Sequence, residues 1–198
     1  GEPRFAFMYS YTDLIKHHPH TLDLVSMLLG DPVPKWVEGK LVQPDSSLAG
    51  DGPQKRPRSY PLYVAENHAF LPPEDEEIAD PMVDFFRVGF EGDMQGHFIP
   101  MAGMFDVEIF GTEGRAYAWD NGEVIRVRGS SRGDGGVQLK EIIPKGQSPT
   151  VSTIRNIIEQ LETGRRTAGN IDITMRSVEV QFALAHSHLQ QGGRVEIP

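Results

Sequence analysis

Residues 82–144 hold an unbroken succession of short apolar and aromatic runs, which restricts the fold more than any other feature of the sequence. Each run is rich in β-branched or aromatic side chains and is closed by a turn, which is typical of β-strands. Asp120-Asn121-Gly122 lies between two runs and predicts a hairpin, because Asn and Gly tolerate the positive φ required there. Since no helical segment separates the runs, we expect an antiparallel meander. The runs are DPMVDFFRVGFEGD, MQGHFIP, MFDVEIFGTEG, RAYAWDNG, EVIRVRG and VQLKEIIP.

Two strands and one helix are predicted before this region. Residues 4–11 and 36–42 have the partial alternation of strands. Between them, an apolar series at three- and four-residue spacing predicts a helix over about residues 20–29, with Gly30 as its C-cap. Residues 43–80 are polar and Pro-rich, which favours a variable insertion. The apolar series consists of Leu22, Val25, Leu28 and Leu29.

Two helices and a final strand are predicted after the strand-rich region. The first helix begins at Ser148-Pro149 and ends at Gly164. The second follows Asp172, a candidate N-cap, and residues 194–198 return as a strand. The apolar series are Ile154, Ile157, Ile158 and Leu161 in the first helix, and Met175, Val178, Phe182, Ala185 and Leu189 in the second.

This order of elements predicts an α+β fold in one domain spanning residues 1–198, with the insertion at about 43–80. The expected architecture is a large, open, mainly antiparallel sheet with helices on one face. Something must cover the other face, because a large exposed apolar sheet is an interaction surface.

Composition excludes several classes of protein. With 19 Lys and Arg against 28 Asp and Glu, the net charge is −9, which argues against nucleic-acid or anionic-membrane partners. The absence of Cys excludes disulfides and thiolate metal sites. No apolar run reaches the roughly 20 residues of a membrane span, and no signal-peptide pattern opens the chain. We expect a cytoplasmic protein, although composition does not itself identify the compartment.

Three of the seven histidines, His17, His18 and His20, lie where the first helix is expected to begin. Imidazole titrates near neutral pH and can accept a hydroxyl proton, so the cluster is a candidate acid–base site. If helical geometry extends back to Lys16, its ammonium shares a face with His20 and favours the neutral imidazole. A solvated or packing cluster is an equally ordinary explanation. No metal site is expected, because no acidic fourth ligand is evident nearby.

The other candidate motifs favour structural roles. His186 and His188 lie two residues apart on a helix and face different directions, while His68 and His97 are isolated. The glycine-rich segment 129–136 does not form the G-x-G-x-x-G pattern that binds a dinucleotide, so no cofactor-binding residue is predicted.

Several segments resemble the C-terminal domain of the glucose–fructose oxidoreductase / inositol dehydrogenase (Gfo/Idh/MocA) family. KHHPHTLDLVSMLLGDP is similar to the family's H-x-x-D-x-x-x-x-L-x-G-D stretch, and FDVEIFGTEGRAYAWDNG to one of its hairpins. The segment from IIEQLETG to GGRVEIP resembles the family's closing helix–helix–strand. The resemblance covers most of 1–42 and 82–198, and 43–80 matches poorly. It implies the fold shared by the C-terminal domains of dihydrodipicolinate reductase and glyceraldehyde-3-phosphate dehydrogenase.

The resemblance implies a substrate-binding and oligomerisation domain of an NAD(P)-dependent oxidoreductase acting on a sugar, inositol or related polyol. The family's N-terminal Rossmann domain, which binds NAD or NADP, is missing from this chain. We therefore expect the chain alone to bind no cofactor and to be inactive. The family also implies a homodimer or homotetramer formed through the open sheet face.

The same resemblance implies roles for individual residues. His20 matches the histidine of the family's catalytic D-x-x-x-H pair, and Lys16 stands where the aspartate normally lies. His17 and His18 are expected near the substrate hydroxyls, and Asp23 matches a common family aspartate that is either structural or substrate-binding. The replacement by Lys16 leaves open a non-catalytic carbohydrate-binding or assembly module. NAD-dependent glycoside cleavage, an activity that the family also includes, is a further alternative.

Overall fold

The computed structural model describes residues 1–42, 62–64, 69–71, 80–101, 105–129, 139–142, 148–167 and 169–198. Nine strands within these ranges form one sheet, and two short strands form a separate hairpin. The strands are β1 (Pro3–Tyr9), β2 (Pro34–Val42), β3 (Leu62–Val64), β4 (Ala69–Leu71), β5 (Met82–Phe90), β6 (Gln95–Ile99), β7 (Asp106–Gly111), β8 (Gly114–Trp119), β9 (Val124–Gly129), β10 (Leu139–Ile142) and β11 (Val195–Glu196). The helices are α1 (His18–Leu29), α2 (Pro149–Thr163) and α3 (Ile171–Leu189).

The large sheet has the strand order β10-β9-β8-β7-β1-β6-β5-β2-β11. Every neighbouring pair in it is antiparallel except β1 and β6, which run parallel. The predicted large, mainly antiparallel sheet is therefore confirmed. The predicted uninterrupted meander is wrong, because β1 lies between β6 and β7 and divides the meander into two parts.

One face of the sheet carries the core and is covered by α1 and α3. Ala6 and Met8 of β1 are fully buried on this face, and the rings of Phe86 and Phe98 stack with centroids 4.2 Å apart. Val25 of α1 packs into the same apolar cluster. The α+β architecture with helices on one face is thus the observed one.

The C-terminal ends of α1 and α2 and the turn between β8 and β9 follow the sequence signals closely, whereas α1 begins at His18, two residues before the expected start. Gly30 caps the C-terminus of α1 in the left-handed region, with φ of 91°. Asp120, Asn121 and Gly122 all have positive φ, of 50°, 57° and 83°, as the hairpin required. Gly164 ends α2 in the same left-handed conformation, with φ of 71°.

Helix α2 does not pack on the sheet, although its boundaries are those predicted. Its described side chains are all exposed, and Leu161 is 81% exposed. The apolar stripe of Ile154, Ile157 and Ile158 therefore faces outward, about half exposed at each position. Only two of the three helices, α1 and α3, cover the sheet.

The N-terminus and buried face of α3 differ from the sequence analysis. Asn170, not Asp172, is the N-cap, and its side chain accepts a hydrogen bond from the Asp172 amide at 3.2 Å. Within the predicted apolar series, Met175 and Leu189 are about half exposed. The most buried positions lie on another face of the helix, which is partly polar. Its polar side chains can be buried because they form hydrogen bonds with other elements. The buried residues are Ser177, Val180, Gln181, Ala183, Leu184 and Ser187.

The predicted insertion at residues 43–80 lies mostly outside the described residues. Within it, β3 and β4 pair antiparallel, with Leu62 opposite Leu71. No helix in the described ranges combines the length and the apolar character needed to cross a lipid bilayer.

Ser187 joins α3 to the sheet edge, and we predict that Ser187→Ala is strongly destabilising. Its buried hydroxyl accepts from the Gly39 amide at 2.9 Å and donates to the Gly193 carbonyl at 2.6 Å. Removing it leaves a buried amide without a partner, so the free energy of unfolding should fall by about 1–3 kcal/mol.

Urea unfolding measures this change, and Ser152→Ala on exposed α2 is the matched control. The control should change the free energy of unfolding by less than about 0.5 kcal/mol. Equal effects of the two substitutions would contradict a special role for Ser187.

Candidate functional site

The segment between β1 and α1 carries the histidine cluster, and hydrogen bonds from outside the segment fix it. The Asp80 carboxylate accepts from the amides of Ile15, at 2.9 and 3.1 Å, and Lys16, at 3.0 Å. The Leu14 amide donates to the Pro81 carbonyl at 2.9 Å. These bonds restrain the turn without the help of a ligand, which favours a preorganised site.

Asp80 is held in an unfavourable environment for a charge. It is only 8% exposed, and burial raises the pKa of its carboxyl, an effect that the hydrogen bonds from Ile15 and Lys16 partly offset. A buried carboxylate persists where amides satisfy its oxygens, as here. Asp80 thus acts as the anchor of the turn.

His17 and Asp13 form a bonded pair at the start of α1. The His17 Nδ1 contacts the Asp13 Oδ1, and both side chains remain partly exposed, at 37% and 25%. A carboxylate on Nδ1 favours the proton there, which leaves Nε2 as the nitrogen free to exchange a proton with a ligand. The contact with Asp13 therefore orients the imidazole ring of His17.

His18, by contrast, belongs to the core. Its side chain is 1% exposed and lies edge-on to Phe86 and Phe98, with ring centroids 5.4 and 6.2 Å away. It is therefore not placed to contact a substrate that arrives from solvent, which corrects the role expected from the sequence. In the structure, His18 packs against the aromatic rings of the core.

The hydrogen bonds of His18 favour one tautomer. The Thr21 hydroxyl lies 3.0 Å from the His18 carbonyl and 2.8 Å from Nδ1. Both contacts are satisfied when the hydroxyl donates to the carbonyl and Nδ1–H donates to the hydroxyl. Nε2, which has no partner in the described structure, is then an unprotonated acceptor. Burial lowers the pKa of His18 to about 4.

Lys16 and His20 are both exposed, and no hydrogen bond or ion pair of either side chain is found in the described part of the chain. Helix α1 begins at His18, so Lys16 lies in the preceding turn. The helical geometry that would place Lys16 and His20 on one face does not extend back to Lys16. Their predicted pairing is therefore not observed, although both side chains are accessible to a ligand.

Asp23 connects α1 to α3. Its Oδ1 accepts a hydrogen bond from the Ser177 hydroxyl. One carboxylate oxygen is thus used to hold the two helices together. This bond is what the structural role expected for Asp23 requires, and the substrate-binding role stays a prediction.

Sequence reasoning overlooked Asp13 and Asp80. Asp13 lies four residues before His17, a spacing that was available as a signal in the sequence. Asp80 lies 65 residues after Ile15, its partner, so nothing local could have indicated it. In the described ranges, no group of three His, Asp or Glu side chains is arranged to hold a metal ion.

No protein-family model matches the chain, and no curated protein matches it in sequence. Solved structures do match its fold. Levoglucosan dehydrogenase in complex with NADH superposes with a TM-score of 0.68 over 100% of this chain, at 12% identity. A Desulfitobacterium hafniense protein assigned as an NADPH-dependent oxidoreductase gives 0.63 over 100%, at 14% identity.

A third match is UDP-N-acetylglucosamine 3-dehydrogenase from Acidithiobacillus ferrooxidans, with a TM-score of 0.57 over 95% of this chain, at 11% identity. The chain spans 59%, 57% and 55% of the lengths of the three matched proteins. The chain therefore has the fold of one part of these larger proteins.

We predict that stability rises with pH between about pH 4 and pH 6.5 because of His18. The unfolded chain protonates His18 below its ordinary pKa of 6.5, whereas the folded chain keeps it neutral down to a pKa of about 4. The unfolded state thus binds more protons in this window, and acid favours it. The free energy of unfolding should be lower at pH 5 than at pH 7 by about 2 kcal/mol from this residue.

His18→Phe should remove this part of the pH dependence, since it retains an aromatic ring without a titrating group. Exposed His20→Gln is the control and should leave the slope unchanged. His97 contributes in the same direction, because burial also lowers its pKa. An unchanged slope in His18→Phe, measured by urea unfolding at several pH values, would show that His18 is not the source.

Proposed function

We propose that the chain is the substrate-binding and assembly domain of an NAD(P)-dependent oxidoreductase of the Gfo/Idh/MocA type, acting on a sugar, inositol or related polyol. The observation that carries the proposal is the match of the whole chain to one part of sugar dehydrogenases such as levoglucosan dehydrogenase. Accessible imidazoles on a fixed turn at the start of α1 support it further. The segments that resemble the family's motifs agree with the proposal, although no family model matches the chain.

In this proposal the chemistry is divided between two domains. A nicotinamide cofactor, held by a separate Rossmann domain, supplies the hydride acceptor. This chain orients the substrate and takes the hydroxyl proton, so that the alcohol carbon becomes a carbonyl. Its own residues therefore need an imidazole that is neutral, accessible and fixed in position.

Two histidines are accessible at this site, and only His17 is also held by a described partner. His20 is exposed and without a described partner, which leaves both ring nitrogens available. His17 is oriented by Asp13 and offers Nε2. We assign the proton transfer to His20, with His17 and exposed Lys16 positioning the substrate hydroxyls. His18 and Asp23 hold α1 in place: His18 packs against Phe86, and Asp23 bonds to Ser177 of α3.

We predict that His20→Ala, in the enzyme carrying its nucleotide-binding domain, lowers kcat by roughly 10²–10⁴-fold, the usual scale for a lost general base. The melting temperature should not change, because the His20 side chain is exposed. Lys16→Ala should act mainly on KM, since uniform binding is lost without a change in the chemical step.

His17→Ala is the matched comparison for His20→Ala. If His17 only positions the substrate, its loss should cost less in kcat than the loss of His20. The reverse order would transfer the proton-transfer role to the Asp13–His17 pair while leaving the proposed function intact. Normal turnover in both variants would remove this site from catalysis.

Assays of the complete protein can distinguish the two alternative functions from the proposed one. A non-catalytic carbohydrate-binding or assembly module would bind sugars yet show no turnover with NAD or NADP in the complete protein. Glycoside cleavage would begin with the same oxidation but release an aglycone, which product analysis detects.

The outer face of the sheet supports assembly. The outer aromatic cluster, defined as Phe5, Phe7, Phe85, His97 and Phe110, occupies this face, with the Phe7 and His97 rings stacked at 4.7 Å. Phe5 and Phe85 are 41% and 46% exposed. Aromatic surface of this extent is typical of subunit interfaces, so we propose a homodimer or homotetramer through this face.

We predict that Phe85→Asp dissociates this assembly, because it places a charge within an apolar contact. Light scattering should report a multiple of 22.0 kDa for the unaltered chain and 22.0 kDa for the variant at tens of micromolar. Leu161→Asp on α2 is the control and should not change the mass. A 22.0 kDa species for the unaltered chain would defeat the proposal.

A further inference from the structure

A second group of charged side chains lies on the outer sheet face, apart from the histidine cluster. An open cavity of about 350 Å³ occurs where β8, β9 and β10 run side by side. Its floor combines guanidinium groups with aromatic rings, and we name it the arginine cavity. Its lining consists of Arg115, Tyr117, Trp119, Arg126, Arg128 and Leu139.

The strand register places two of these cations against each other. Arg115 and Arg128 are directly opposite on neighbouring strands. Like charges in this position destabilise a sheet. Such an arrangement is costly in the free chain, and an anion between the two guanidinium groups would relieve the repulsion.

The aromatic rings hold the guanidinium groups along the sheet surface. Arg115 lies 5.1 Å from the centroid of Tyr117, and Arg126 lies 5.2 Å from that of Trp119. Stacking of this kind fixes the plane of a guanidinium group and preserves its donors for a ligand.

Among the described residues, one carboxylate forms an ion pair with an arginine of the cavity. Glu141 pairs with Arg126, with Oε2 2.8 Å from Nε. Glu108 lies close enough to Arg115 for the guanidinium to moderate the burial-raised pKa of its carboxyl. Neither Arg115 nor Arg128 forms an ion pair with any other described residue. Two cations in one cavity are therefore without a bonded counter-ion in the described structure.

A second group of arginines stacked on an aromatic ring, at Trp36, differs from the arginine cavity in its ion pairs. Arg87 and Arg194 lie 5.5 and 4.4 Å from the ring of Trp36. Each has its own carboxylate, since Arg87 pairs with Glu38 and Arg194 with Glu196. Both arginines stacked on Trp36 are thus neutralised, whereas stacked Arg115 of the arginine cavity has no ion pair among the described residues.

We propose that the arginine cavity binds the phosphate group of a small ligand that also carries a flat ring. A phosphate dianion has enough oxygens to accept bonds from both Arg115 and Arg128, which a single carboxylate does less well. Tyr117 and Trp119 provide the surface on which a ring can lie. This site does not depend on the oxidoreductase proposal.

Fluorescence of Trp119 provides a direct test, because the chain has only two tryptophans. In a Trp36→Phe background, inorganic phosphate and AMP are titrated at constant ionic strength. We expect saturable changes, with a Kd of about 1 mM or below for phosphate and at least several-fold tighter binding of AMP. The same titrations with Phe85→Asp remove any dependence on whether a second copy covers the face.

Arg128→Ala should weaken phosphate binding at least about 10-fold, and Arg128→Lys should fall between the two, since it keeps the charge but loses the paired donors. Arg194→Ala is the matched control and should leave the Kd unchanged within twofold. Circular dichroism verifies folding of each variant. No saturation, or equal losses in Arg128→Ala and Arg194→Ala, would overturn the site. AMP binding no tighter than phosphate would overturn the ring contact.

Discussion

The pairing of β1 with both β6 and β7 is the interaction on which the remaining structure depends. It joins an antiparallel group of β2, β5, β6 and β11 to another of β7–β10, since no other strand pairing connects the two in the described structure. Ala6 and Met8 carry the core across this junction. Because α1 follows directly, the position of β1 also determines where the histidine cluster lies.

Helix α3 is attached to the fold by hydrogen bonds as much as by apolar contact. Ser177 bonds Asp23 of α1, Gln181 donates to the Leu14 carbonyl, and Ser187 bonds the end of β2. Buried polar groups cost free energy unless paired, so these bonds permit one placement of the helix. The Gln181 bond also connects α3 to the turn before the histidines, so the site is fixed from both sides.

Local chemistry made much of the fold predictable. Gly30, Gly164 and the Asp120-Asn121-Gly122 turn each require backbone conformations that few residues adopt, so the sequence marks them directly. The strands were recognisable because their β-branched and aromatic runs are closed by turns. The histidine cluster was visible as well, yet its division into a buried His18 and exposed neighbours depends on packing against Phe86, far away in the chain.

Features that depend on distant partners were not predictable. The insertion of β1 between β6 and β7 leaves no trace in hydrophobic periodicity, because a central strand has the same alternation wherever it pairs. The buried face of α3 was missed since its polar residues find partners on α1 and β2. Asp80 shows no local signal, and the exposed stripe of α2 has the same spacing as a buried one.

The central place of β1 also has a consequence for the time course of folding. β1 leaves the ribosome before its neighbours, which lie at residues 95–99 and 106–111, so about a hundred residues must be synthesised before it can pair on both sides. During that interval both edges of an aromatic strand are open to other chains. Non-local pairing of this kind slows folding and exposes intermediates to aggregation. A nascent chain of this fold therefore gains most from a chaperone that holds the segment of β1.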